Sequence, residues 1–172
     1  MAYMLDILSN WVDEMPRFLN WILKRIYKEE NIKERIKVDL TSNKSANRVQ
    51  LLDNGNINFI LRITNLTPFE LIVDDITLEF SWEHITKKIC KNNFEKIKKN
   101  SEENVFLYES LSSEESLKIA TAEEKKTSEP RLRYTIDFSN RLYRFQKYGD
   151  LNSFGLEILN LHTALEKLRK IS

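Results

Sequence analysis

Two runs of strict alternation, separated by a turn, constrain this chain more than any other feature. In the segment INFILRITNLTPFELIVDDITLEFSW, residues 57–82, the apolar residues Ile57, Phe59, Leu61 and Ile63 fall on odd positions. After the turn Asn65-Leu66-Thr67-Pro68, Phe69, Leu71 and Val73 keep that parity, whereas Ile76, Leu78, Phe80 and Trp82 fall on even positions. Successive side chains of a strand point to opposite faces, so a period of two marks half-buried β-strands. The slip at Asp74-Asp75 predicts a bulge or strand break, because one inserted residue moves every later side chain to the other face.

Residues 36–148 read as further strands around this pair. Ile36, Val38 and Leu40 alternate, as do Leu132, Tyr134, Ile136 and Phe138. Arg48–Leu52 and Ile57–Thr64 flank Asp53-Asn54-Gly55-Asn56, where Asn and Gly tolerate the positive φ of a tight hairpin. Val105–Tyr108 and Leu142–Tyr148 add shorter strands. His84–Asn104 is lysine-rich, with Ile85, Ile89, Phe94 and Ile97 as sparse apolar anchors, and its periodicity favours no element. Ser112–Lys126 fits a helix opened by a capping box of Ser112 and Glu115, while Leu117-Lys118-Ile119 also fits a strand.

Both ends read as amphipathic helix. In residues 1–30, Leu5, Leu8, Val12, Met15, Leu19, Ile22 and Ile26 draw a stripe at helical spacing, widened by Met4, Trp11 and Phe18. Pro16 predicts a kink or a division into two helices. Lys24, Arg25 and Lys28 suit the C-terminal end of the second helix, and the charged run Lys28–Arg35 leads out of it. In residues 152–172, Phe154, Ile158, Leu161, Leu165 and Leu168 give a second stripe. Such stripes need a cover: the rest of the chain, a second copy, a protein partner or a membrane surface. Leu5, Leu8, Trp11, Val12, Met15, Leu19, Ile22 and Ile26 are the candidate contacts of a helix-mediated assembly. For a membrane, Trp11, Trp21 and Tyr27 would lie at the interface, with Lys24, Arg25 and Lys28 near acidic headgroups. Asp6, Asp13 and Glu14 oppose that docking, so protein packing ranks first. The charge-free runs Ile7–Val12 and Phe18–Leu23 are far shorter than the roughly twenty residues a span needs.

Little in the sequence points to catalysis. The single cysteine, Cys90, has no intrachain partner and suits a reducing, cytoplasmic setting. His84 and His162 lie far apart, with no ligand-spaced neighbours, and the three glycines form no phosphate-cradling loop. No metal or cofactor is expected. Asp74 and Asp75, with Glu79 or Glu83, could form a metal site or an acid–base pair, as in a metal-dependent hydrolase, provided a bulge turns the two aspartates to the same side. Lys87, Lys88, Lys91, Lys96, Lys98 and Lys99 could contact a polyanion, helped by Arg131, Arg133, Arg141, Arg144 and Lys147 interleaved with aromatics. The formal net charge of +1 and the intervening glutamates argue instead for charges that balance on a solvated surface, so nucleic-acid binding ranks low.

The segment Asn65-Leu66-Thr67-Pro68-Phe69-Glu70-Leu71-Ile72-Val73, followed by Ile76, Leu78 and Phe80, resembles the WHy-type domains of late-embryogenesis-abundant proteins. That resemblance implies an immunoglobulin- or fibronectin-like β-sandwich, non-enzymatic, with stress-protective or membrane-proximal roles; it carries over no site residue. The combined expectation is a mainly β protein: a sandwich of about seven to nine strands over residues 36–148, flanked by terminal helices. Its inner face should hold Phe59, Leu61, Ile63, Leu71, Ile76, Leu78, Phe80, Tyr134, Ile136 and Phe138. The expected function is a non-catalytic binding or scaffolding module assembling through its terminal helices. A peripheral membrane protein, a metal-dependent hydrolase and a nucleic-acid-binding protein are the alternatives.

Overall fold

The computed structural model describes residues 16–41, 48–51, 55–125, 129–151 and 155–158. A 3-10 turn, Arg17–Leu19, leads into α1 (Asn20–Ile26) and α2 (Glu29–Glu34). Strands follow as β1 (Ile36–Thr41), β2 (Arg48–Leu51), β3 (Asn56–Asn65), β4 (Leu71–Trp82), β5 (Ile85–Ile97) and β6 (Ser101–Ser110). Then come α3 (Ser113–Lys125), β7 (Arg131–Ser139), β8 (Arg144–Asp150) and β9 (Gly155–Ile158).

The strands form two sheets. In the first, β3 is flanked by β6 along one side and by β1 and then β2 along the other, all antiparallel, with β9 parallel to β2. The second is antiparallel in the order β5-β4-β7-β8. Their inner faces meet in one core: the rings of Phe59 on β3 and Phe80 on β4 lie 5.6 Å apart. All ten inner-face residues expected from alternation are buried, none more than 7% exposed. The protein is thus a mainly β sandwich.

The bulge expected at Asp74-Asp75 is present. The register of β4 shifts between Val73 and Asp75 against both β5 and β7, so Val73 and Ile76 both reach the core. The expected hairpin also forms: Leu51 pairs with Ile57, and Gly55 has φ +81° at the end of the turn. Where periodicity left the choice open, tertiary context decides. Residues 85–97 form a 13-residue strand, and residues 113–125 form helix. The capping box closes in both directions, Ser112 N–H donating to Glu115 Oε2 (2.8 Å) and Glu115 N–H to Ser112 Oγ (3.2 Å). Helix α3 contributes Ile119 and Ala122 to the core.

Two expectations about the ends need correction. The charged run Lys28–Arg35 does not simply leave a helix: Tyr27 is extended, and Glu29–Glu34 forms a separate helix whose Ile32 is buried. Residues 155–158, placed in a C-terminal helix, are instead strand β9. Leu156 and Ile158 alternate as readily as Ile158 and Leu161 repeat, and the open edge of β2 supplies backbone partners that a helix would leave unpaired. Leu161, His162, Leu165 and Leu168 lie outside the described residues.

Two of the crossovers between the sheets, β3–β4 and β5–β6, are fastened by one side chain. Asn65, fully buried, ends β3. Its Nδ2 donates to the carbonyls of Phe69 (2.8 Å), Ile97 (3.2 Å) and Lys98 (3.0 Å), and its Oδ1 accepts from Thr67 N–H (2.9 Å) and Oγ1 (2.7 Å). The β3–β4 turn and the β5–β6 corner, where Asn100 has φ +51°, are held together through this amide.

Candidate functional site

Three surfaces bear on function. The first follows from the bulge. Two successive residues of β4 turn outward together there, so Asp74 and Asp75 line one cleft of about 390 Å³ with Asp137, Arg144, Phe145 and Gln146. Asp75 and Asp137 are direct cross-strand partners, a like-charge pair that costs stability. Neighbours on β8 offset it: Gln146 Nε2 donates to Asp137 Oδ1 (2.9 Å), and Arg144 Nε lies 3.8 Å from Asp74 Oδ2. The second distance is an ion pair without a hydrogen bond. Convergence of the two aspartates is therefore real, and Asp137 is a third acid that no spacing in the sequence announced. Among the described residues, however, no three His, Cys, Asp or Glu side chains cluster tightly enough to hold a metal ion.

The second is the lysine-rich strand β5. Alternation along β5 sets Lys87 and Lys91 on the face opposite to that of Lys88 and Lys96. Lys87 pairs with Glu115 of α3 (2.9 Å), and its ammonium is the main reason the Glu115 carboxyl titrates below its ordinary value, followed by the Ser112 N–H. Lys91 Nζ donates to the Phe106 carbonyl at the β6 edge (3.3 Å). Lys88 stands opposite Glu79, Lys96 pairs with Glu70 (3.2 Å), and Lys98 and Lys99 sit at the corner into β6. Lysines at an exposed sheet edge oppose edge-to-edge pairing. The arginine cluster is similarly engaged, Arg133 with Asp150 (3.0 Å) and Arg141 with Asn20 (2.9 Å).

The third is the N-terminal helical segment, docked on the end of the sandwich made by the β3–β4 turn and the β7–β8 hairpin. Leu23 is buried, 2% exposed, and Tyr27 packs edge-on against Phe69 at 5.1 Å. Tyr143 Oη donates to the Tyr27 carbonyl (3.1 Å), Lys24 Nζ lies 5.3 Å from the Tyr143 ring centroid, and Lys147 Nζ donates to the Lys33 carbonyl (2.9 Å). Burial raises the pKa of Tyr27 and lowers that of Lys147. The docked stripe is thus Asn20, Leu23, Lys24 and Tyr27, one position out of phase with the expected stripe. Leu19 and Ile22 are half-buried and Ile26 is 42% exposed, while Leu5, Leu8, Trp11, Val12 and Met15 lie outside the described residues. Tyr27 faces the sandwich and is not an interfacial residue. Trp21, Lys24, Arg25 and Lys28 are all exposed.

Sequence reasoning passed over another exposed group. Phe106 and Tyr108 on β6 point outward, 57% and 72% exposed, beside Ile60 and Asn58 of β3. The signal was their parity: Val105 and Leu107 point inward, so their neighbours had to point out.

Fold and surfaces together define a two-sheet sandwich with a helical cap and mixed-charge outer faces. No family model and no curated protein matches the chain. Solved structures similar to it include a structural-genomics target, SoR45, at 11% identity and TM-score 0.45, covering 71% of this chain and 89% of that one. R. palustris CsgH matches at 13% identity and TM-score 0.34, covering 67% and 91%. A protein from Archaeoglobus fulgidus matches at 9% identity and TM-score 0.35, covering 70% and 97%.

Proposed function

We propose that this chain is a non-catalytic, protein-binding module on an immunoglobulin- or fibronectin-like sandwich, as its resemblance to WHy-type domains implies. The division into one sheet of β1, β2, β3, β6 and β9 and a second of β5, β4, β7 and β8, with the chain crossing between them, supports that sandwich type. One observation carries the binding role. Phe106 and Tyr108 stand in solvent on β6, and Asn56, Asn58, Asn104 and Ser110 flank them on the same outer face. Aromatic side chains fixed on strands bring large contact area at small entropic cost, and aromatics are enriched at interface centres. A rim of amide and hydroxyl groups, with Arg62 at one end opposite Asn104, suits a partner surface that is apolar at its centre and hydrogen-bonding around it.

A photo-crosslinking residue at Tyr108, in the host cell, tests this reading, with the same residue at exposed Lys88 on the other sheet as reference. A discrete protein adduct formed from position 108, absent from position 88 and weakened by Phe106→Ser, is the expected result. No adduct, or the same adducts from both positions, refutes it.

A further inference from the structure

Helix α1 has a second face that the sandwich leaves free. Asn20, Leu23 and Tyr27 are used on the docked side, while Phe18 and Trp21 on the opposite side are 74% and 60% exposed, and Ile26 on the flank is 42% exposed. From Arg17 to Lys28 the segment holds four cations, Arg17, Lys24, Arg25 and Lys28, all exposed, and no acid. The acids that follow belong to α2, where Glu29 is paired with Lys33 at 2.7 Å and Glu30 is exposed. Exposed aromatic and aliphatic side chains ringed by basic ones match the boundary between acyl chains and acidic headgroups. No described helix is long and apolar enough to cross a membrane, so contact through this helix would be peripheral.

We propose that the outer face of α1 docks this protein on an anionic lipid bilayer, with Phe18 and Trp21 entering the acyl boundary and Arg17, Arg25 and Lys28 among the headgroups. This goes beyond the binding role of β6, because a different element carries it. A second copy is the weaker occupant: an isologous contact sets a face against itself and would bring the four cations together. RNA would meet the charge but not the aliphatic flank of Ile22 and Ile26.

Flotation of the whole protein with vesicles of phosphatidylcholine and phosphatidylserine, against phosphatidylcholine alone, tests the proposal. Binding is expected to the anionic vesicles and to fall steeply with salt. At about 1 kcal/mol for each basic residue near the surface, or about fivefold in affinity, Arg25→Glu with Lys28→Glu should weaken binding by more than about twentyfold. Phe18→Ser with Trp21→Ser should weaken it at least about tenfold at an unchanged melting temperature. Should that variant unfold, an environment-sensitive fluorophore on Trp21→Cys in a Cys90→Ser background gives the same information: its emission should shift to the blue on anionic vesicles. Absent binding, equal binding to neutral vesicles, an unmoved fluorophore, or binding indifferent to both double variants overturns the proposal. So does a dimer that Phe18→Ser with Trp21→Ser dissolves without lipid, or binding to RNA with vesicles ignored.

Discussion

Replacing Asn65 with Asp tests the account of how the two sheets are fastened. The side chains have the same shape, and the carboxylate still accepts from Thr67. The donor is lost, and a charged oxygen takes the place of a nitrogen that lies 2.8–3.2 Å from the carbonyls of Phe69, Ile97 and Lys98. An amide nitrogen has two hydrogens, so two full hydrogen bonds are at stake, at about 1–2 kcal/mol each with the acceptors buried. Burying the charge adds to the deficit until the group protonates. The expected total is about 3–5 kcal/mol at neutral pH, a large part of the roughly 5–15 kcal/mol available to a domain. With a urea m-value of about 1–3 kcal/mol/M, the midpoint should fall by about 2 M. Urea titrations followed by circular dichroism and by tryptophan emission would measure it, with the buried Trp82 reporting on the core. The pH dependence is the sharper criterion. The new carboxyl has its folded-state pKa raised, so its penalty is present above that value and relieved as pH falls and a donor returns. The variant's deficit must therefore shrink at acid pH. A deficit below about 1 kcal/mol, or one that grows relative to the native protein as pH falls, would refute the reasoning.

Three further outcomes are expected. The Glu115 carboxyl is held low by Lys87 and by the Ser112 N–H, so it stabilises the fold above its unfolded-state pKa, and that contribution is lost as pH falls through the folded-state value; in thermal melts, Glu115→Gln should flatten the fall in stability at acid pH. Ser116 on α3 is 5% exposed and its hydroxyl has no hydrogen-bond partner among the described residues, so Ser116→Ala should stabilise by about 1 kcal/mol, read as a rise of about 2–4 °C in calorimetry. Gly149 faces Tyr134 across β7 and β8, and a Cβ there would stand 2.9 Å from the phenol oxygen and 3.0 Å from ring carbons; Gly149→Ala should cost about 1–3 kcal/mol in urea denaturation, and Tyr134→Leu in the same chain should recover part of it.

Alternation alone determined that the centre of this protein is antiparallel sheet with one face buried. The apolar parities of residues 57–82 and 132–138 identified core side chains, because in a strand the face a residue occupies is a local property of sequence. The bulge at Asp74, the turn at Gly55 and the capping box of α3 were legible for the same reason: each depends on residues adjacent in the chain. Tertiary structure decided what local pattern could not. The anchors of β5 are too sparse to show a period, and the strand exists because β4 offers it a ladder. Residues 155–158 suit either element in isolation, and the open edge of β2 selects the strand. The buried phase of α1 is set by Phe69 and Tyr143, more than forty residues away in sequence, so the apolar stripe identified the helix but not the side it presents. Asn65 reads locally as an ordinary turn residue; its grip on Ile97 and Lys98 exists only because the two crossovers meet in space.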